Sequence, residues 1–390
     1  MNAERFAVPQ EPTFSSRFIR HRPAQELPSS GSSSYALYMA RNSIYHAVRL
    51  LGIRPGQTVL LPAYVCETAV EPLIEARVKV EFYAMTRNCE IDYDDLTARI
   101  TANTAAVLAV HYFGFPTTIE KLRALCDERG IALIEDCAHV LFDRIHDRPL
   151  GTFGDASMFS WRKFLPVFDG STLRINNRGN DMNLDLHNVP LSIQARSTKH
   201  AIANVPVVGR TLRTLKRILV RRAAPTASET ASARPPQVDA YETNTDHFTL
   251  SNADFAMTWA SRHSLGYSDF VAIAAARRTN FAVLWSQLNN TSGVTPLHSK
   301  PPPEGGPWVF PLIFGEHHDA HKTIRKLGVP AVAWDGVRPS RLSQAFPDAD
   351  FLYHHLVFLP VHQSLDEVHL ERIVSAVELA ASGPTDPKPR

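Results

Sequence analysis

Four side chains of different chemistry fall between positions 136 and 163: the carboxylate of Asp136, the imidazole of His139, the hydroxyl of Ser160 and the primary amine of Lys163. An amine can condense with an aldehyde to an imine, and a carboxylate can hold the proton on a ring nitrogen. Together these are what pyridoxal 5'-phosphate asks of a protein, because its protonated ring is the electron sink for a substrate carbanion. Taken alone, Lys163 would as readily be a surface lysine or pair with Asp155 or Asp169. Its following residues, Phe-Leu-Pro-Val-Phe-Asp-Gly, are apolar enough to desolvate an amine, which lowers its pKa and favours the neutral nucleophile. Arg162 is adjacent, but a guanidinium stays protonated and forms no imine. His139 is placed to hydrogen-bond the ring or cover its edge. Asn42 and Ser43 read as the cap of the first helix, where amides and a hydroxyl suit a phosphate or simply end the helix.

The elements around these residues have a β-α-β rhythm. Residues 44–51 have helical apolar spacing, stopped by Gly52 and the turn Arg54-Pro55-Gly56. Strands are expected at 58–61, 78–82, 105–110 and 131–134, with a helix over 119–129 ending at Gly130. The continuous apolar run at 105–110 is that of a strand covered on both faces, so the sheet should be parallel and doubly wound. Ligands of such sheets collect at the carboxyl ends of the strands. Asp136 and His139 follow one such end, and Lys163 follows a strand carrying Phe159 and Trp161 on the face opposite Ser160. Further on, a helix is expected over 270–288 with the pair Arg277-Arg278, strands over 308–314 and 356–359, and a closing helix over 365–381.

The four cysteines, Cys66, Cys89, Cys126 and Cys137, form no Cys-x-x-Cys pair, so neither a disulfide framework nor a metal site is expected. The formal net charge of +2 calls for neither nucleic acid nor membrane as a bulk partner. No apolar run reaches the length of a membrane helix, and 1–34 is broken by prolines and charges rather than built as a leader, so a cytoplasmic protein is expected. The expected organisation is a mobile or loosely packed arm at 1–34, a large domain at 35–250, a smaller C-terminal α/β domain at 251–382 and a polar tail at 383–390. An insertion at about 176–245 interrupts the large domain, and its segment 199–222 holds seven Lys/Arg and no acid. With Leu212, Leu215, Ile218 and Leu219 on one helical face, that segment suits anionic lipid or an acidic partner, or else packs on its own domain.

The ordered set Ala-Arg-Asn-Ser43, Pro62-Ala-Tyr, His111-Tyr-Phe-Gly, Glu-Asp136-Cys-Ala-His139, Gly-Thr-Phe-Gly-Asp155, Phe-Ser160 and Lys163 ahead of Asp169-Gly170 resembles the DegT/DnrJ/EryC1/StrS family of pyridoxal-phosphate-dependent aminotransferases. The likeness runs from about 36 to 380. The compact Ser-x-x-Lys-x-x-x-Pro-x-x-Asp-Gly spacing fits a subgroup of it. The resemblance implies fold type I, like aspartate aminotransferase, and a homodimer with its sites at the subunit interface. It implies Lys163 as the cofactor lysine, Asp136 as partner of the pyridine nitrogen, His139 beside the ring and Ser160 at the phosphate. The residue stacking on the ring would fall at 64–66, with Cys66 there in place of an aromatic. The implied reaction moves an amino group from an amino acid, expected to be glutamate, to a nucleotide-linked keto sugar. Another pyridoxal-phosphate reaction on a non-sugar substrate, or a non-catalytic binding module, remain the rival readings.

Overall fold

The computed structural model describes residues 7–22, 33–176, 183–205, 248–315, 319–340, 342 and 346–382. Most of the basic stretch 199–222 therefore lies outside the described residues.

Seven strands form the central sheet: β1 (Ser34–Leu37), β2 (Thr58–Pro62), β3 (Lys79–Tyr83), β4 (Thr104–Val110), β5 (Ala132–Cys137), β8 (Ala156–Ser160) and β9 (Ser171–Ile175), with β6 (Arg144–Ile145) and β7 (Arg148–Pro149) making a small separate hairpin. The order across the sheet is β1-β9-β8-β5-β4-β2-β3. Neighbours from β8 through β5, β4 and β2 to β3 are parallel, while β9 runs antiparallel to both β8 and β1. Strands β2, β4, β5 and β8 are buried almost throughout, as a sheet covered on both faces requires. The chain is thus α/β with a mostly parallel sheet.

Helices α1 (Ala40–Leu50), α2 (Glu67–Glu75), α3 (Tyr93–Arg99) and α4 (Ile119–Arg129) connect these strands. Gly130 ends α4 in the left-handed region at φ 62°, where a Cβ would be strained. After α5 (Leu191–Ala203), the later chain forms α6 (Trp259–Tyr267), α7 (Phe270–Leu288), α8 (Ala320–Lys326), α9 (Pro347–His355) and α10 (Glu367–Ala381). A three-stranded antiparallel sheet, β10 (Val294–Pro296), β11 (Val309–Phe314) and β12 (Leu356–Pro360), carries a second core with Phe281, Phe310 and Phe314 at its centre.

Three expectations are corrected by this fold. Helix α1 starts at Ala40 with Met39 as its cap, so Asn42 and Ser43 lie inside the first turn and cap nothing. Strand β5 continues through Asp136 to Cys137 because main-chain pairing with Val110 and Met158 extends it beyond the apolar run. Finally, the described part of the N-terminal arm is packed. Val8 and Phe18 are buried, the Val8 amide donates to the Gly328 carbonyl at 3.2 Å, and the Arg20 amide donates to the Tyr267 carbonyl at 2.7 Å. Burial of two large apolar side chains and main-chain pairing outweigh the arm's prolines and charges. Among the described residues no helix is long and apolar enough to cross a membrane.

Candidate active site

Strand alternation sorts two adjacent carboxylates on β5 to opposite faces. Glu135, fully buried, turns toward the loop after β7 and accepts from Gly151 N at 2.9 Å, Gly154 N at 2.5 Å and His111 Nε2 at 3.0 Å. The His111 Nδ1 accepts from the Thr117 amide at 3.2 Å, which leaves the ring proton on Nε2 to face Glu135. Gly154 has to be glycine here, since a Cβ would stand 2.7 Å from the Leu133 carbonyl oxygen. Asp136 turns the other way, into a cavity of about 380 Å³ at the carboxyl ends of the strands.

That cavity also takes in Cys66, His139, Ser160 and Lys163. Four separate elements bring them there: the start of α2, capped by Cys66, the turn after β5, the last residue of β8, and the 3₁₀ turn Trp161–Lys163 that follows β8. Burial pulls the Lys163 amine from 10.5 down to about 8, against the opposing pull of Asp136 and Cys66, while Arg162 adds to the lowering. Burial likewise pushes the Asp136 carboxyl up, moderated by Lys163, by the Ala138 amide it accepts at 2.9 Å and by His111. A buried carboxylate and a buried amine thus face one cavity, each made costlier to ionise by the lost water.

His139 is held flat. Its ring stacks between Phe113, with centroids 5.9 Å apart, and Trp308, at 4.1 Å. Nδ1 accepts from the Phe113 amide at 3.2 Å, so the ring proton sits on Nε2. Burial and then Lys163 hold this imidazole well below its usual range, which keeps it neutral. Cys66 caps α2, its sulfur accepting from Thr68 Oγ1 at 3.1 Å, and burial pushes its thiol up. Tyr353 of α9 fixes that corner, its hydroxyl accepting from the Val65 amide at 2.9 Å and lying 2.7 Å from the Val65 carbonyl.

The cavity does not include Asn42 and Ser43. The Asn42 amide group donates to the carbonyls of Asn252 and Ala253 at 2.6 and 3.0 Å, and the Ser43 hydroxyl lies 2.7 Å from that of Ser171. The first turn of α1 still opens on the cavity, but through Met39, Ala40 and Arg41. Arg162 lines it too, with its guanidinium against the Met39 thioether at 3.7 Å. The amino end of α1, the guanidiniums of Arg162 and of Arg41 (itself 3.5 Å from Glu71) and the Ser160 hydroxyl all line this cavity, donors of the kind a doubly charged phosphate takes.

Two residues that the sequence did not single out complete the walls. Trp308, just ahead of β11, covers the amine, with Lys163 Nζ 4.5 Å from its ring centroid. Trp334 lines the far side, where Tyr64 packs on it at 5.0 Å between centroids. Nothing in local periodicity marks either, since both come from the last hundred residues and reach the site only through tertiary packing.

Residues 27–212 match the DegT/DnrJ/EryC1/StrS aminotransferase family. Among curated proteins, the GDP-perosamine synthase of Vibrio cholerae is 30% identical over 149 residues, which are 38% of this chain and 39% of that protein. A dTDP-4-dehydro-2,3,6-trideoxy-D-glucose 4-aminotransferase of Saccharopolyspora spinosa is 29% identical over 173 residues, 42% of each. The chain thus spans about two fifths of the length of these relatives. Among solved structures, the fold is similar to that of Helicobacter pylori PseC, described as an aminotransferase involved in the biosynthesis of pseudoaminic acid. The TM-score is 0.66 at 14% identity, over 97% of this chain and 99% of that one.

Proposed function

We propose that this chain, which belongs to the DegT/DnrJ/EryC1/StrS aminotransferase family, is a pyridoxal-phosphate-dependent aminotransferase acting on a nucleotide-linked keto sugar, with glutamate as amino donor. The observation that carries the reading is a lysine amine lowered to about 8, sharing one cavity with a buried aspartate and a neutral histidine. The names of its relatives favour a sugar acceptor. The homodimeric state, the cytoplasmic location and the division into domains at 35–250 and 251–382 are part of the same proposal.

Pyridoxal phosphate supplies, when bound, an electron sink and a carrier for the amino group. The protein's residues divide the remaining work. Lys163 Nζ, close to half neutral near pH 8, takes a proton from the donor's α-carbon and returns one at the next stage. Burial makes Asp136 costly to ionise alone, so a protonated ring nitrogen would be the cationic partner it suits, and its carboxylate would keep that proton in place. The His139 Nε2–H, fixed by the Phe113 amide, donates to an oxygen on the ring's edge. Arg162, Arg41, Ser160 and the amino end of α1 hold the phosphate. Trp308 keeps water from the amine.

The test is reconstitution with pyridoxal 5'-phosphate. A visible absorbance band and a borohydride-stable adduct on Lys163 are expected, and both should vanish in Lys163→Ala. Neither signal in the wild-type protein would end the proposal. Loading the amino group onto the cofactor and then screening keto compounds for recovery of the band identifies the acceptor. Recovery with simple keto acids alone would favour a non-sugar substrate.

A further inference from the structure

The side chain of Arg277, on α7, is fully buried, and among the described residues no carboxylate pairs with it. Burial takes its guanidinium from 12.5 down to about 9. Each of its five N–H groups nevertheless has one neutral acceptor. Nε donates to Gln363 Oε1 at 3.0 Å, one terminal nitrogen to the carbonyls of Pro307 and Trp308 at 3.2 and 3.1 Å, and the other to those of Lys163 and Phe164 at 3.3 Å each. Gln363 closes the ring by donating to the Phe164 carbonyl at 2.9 Å. The Phe164 ring lies 4.9 Å from the guanidinium carbon.

A buried charge without a counter-charge is costly, and apolar packing would stabilise the fold at least as well. The acceptors explain why an arginine stands here. The four backbone acceptors belong to two segments that reach the cavity from different parts of the chain, the turn carrying the Lys163 amine and the strand lead-in carrying the Trp308 ring, while Gln363 comes from a third. That ring covers the amine at 4.5 Å and stacks on His139 at 4.1 Å. Only a planar fork with five donors can bind both backbones at once; a lysine at the same place would offer three donors from one point.

We propose that Arg277 is a positioning residue that locks the main chain of Lys163 to that of Trp308 and so sets the dry, covered position of the lysine amine. This rests on the reading of Lys163 as the reacting amine. Without the fork the two segments part, water reaches Nζ, and the amine titrates more like an ordinary lysine.

The experiment follows the pH dependence of Lys163 modification by trinitrobenzenesulfonate in cofactor-free protein, with the labelled peptide quantified by mass spectrometry. In parallel, the pH midpoint of the visible band is followed after reconstitution with pyridoxal 5'-phosphate. In Arg277→Met and Arg277→Lys, both folded by near-ultraviolet circular dichroism, the labelling midpoint is expected to rise by about one pH unit as desolvation relaxes. A folded Arg277→Met with the wild-type midpoint would overturn the proposal, as would an Arg277→Lys that restores it, since a point charge would then suffice. Should Arg277→Met not fold, Gln363→Leu, which removes one acceptor and the bond to Phe164, is expected to shift the midpoint the same way by a smaller step. No shift there would also overturn it. A wild-type protein with no visible band but with the labelling shift intact would sink the proposed function and leave the role of Arg277 standing.

Discussion

The Trp308 indole lies over the Lys163 amine at 4.5 Å, and two opposite effects meet in that contact. The face of the ring favours the ammonium, while the bulk of the ring excludes water and favours the neutral amine. Substitutions separate the two. Trp308→Phe keeps the cover but weakens the attraction by about 0.5 kcal/mol, so the amine midpoint should fall by about 0.4 pH unit. Trp308→Ala admits water, and the midpoint should rise. The two shifts, read from the pH dependence of Lys163 labelling, are expected to have opposite signs.

Asp136 is the largest of the influences that raise the Lys163 amine. Asp136→Asn keeps an oxygen for the Ala138 amide but removes the negative charge. The midpoint of Lys163 in the cofactor-free protein should drop below about 8. An unchanged midpoint would mean that the two groups do not sense one another.

The Arg162 guanidinium lines the cavity against the Met39 thioether at 3.7 Å, placed to meet an anion there. Arg162→Met is therefore expected to weaken binding of pyridoxal 5'-phosphate by about tenfold, the worth of one charge-assisted hydrogen bond, while leaving binding of pyridoxal little changed. Titration of both compounds against intrinsic fluorescence distinguishes this from general damage to the cavity.

Glu135 faces three donors and no acceptor. Glu135→Gln points an amide N–H₂ at one of them, leaving a buried donor unmet, and should cost about 2–3 kcal/mol of stability. Urea unfolding would measure it. A loss within about 0.5 kcal/mol, typical of a surface change, would contradict the buried arrangement.

His362 is buried, with Nε2 donating to the Pro9 carbonyl at 2.9 Å, and burial takes it from 6.5 down to about 3. Its folded value lies below the unfolded one, so the unfolded chain binds a proton first. The stability it lends is complete above pH 6.5 and is lost as pH falls toward 3. Between pH 6.5 and 5.5 this one group is expected to cost about 1 kcal/mol, the slope steepening toward about 1.4 kcal/mol per pH unit at lower pH, and His362→Gln, which keeps a donor for Pro9, should remove that much of it. Unfolding free energies at pH 6.5, 6 and 5.5 give the comparison.

Much of the fold could be read from apolar runs, because β4 and α4 carry their periods and stops within a few residues. The helix over 119–129 and its glycine stop, and the helix over 270–288, stand where spacing puts them. The start of α1 could not be read this way. Asn42 and Ser43 are the residue types that favour helix caps, but their side chains are claimed by Asn252, Ala253 and Ser171, partners far along the chain. Strand β5 outran its apolar run for a related reason: Asp136 and Glu135 are polar residues admitted to a buried strand by the site and by the glycine loop. Lys163, Asp136, His139, Ser160 and Cys66 were legible because all lie at strand ends or within four residues after one. Trp308, Arg41 and Arg277 were not, since their meaning comes from what faces them. In the case of Arg277 the sequence displayed only a pair of arginines on a helix.

The packing of residues 7–22 has a consequence for how the molecule is made. Val8 reaches Gly328, Pro9 reaches His362, and Thr13 bonds to Ser364 at 2.9 Å. The ribosome delivers these partners more than three hundred residues apart. The 7–22 segment must therefore wait for these partners until chain more than three hundred positions later has left the ribosome, so this seam forms late in synthesis.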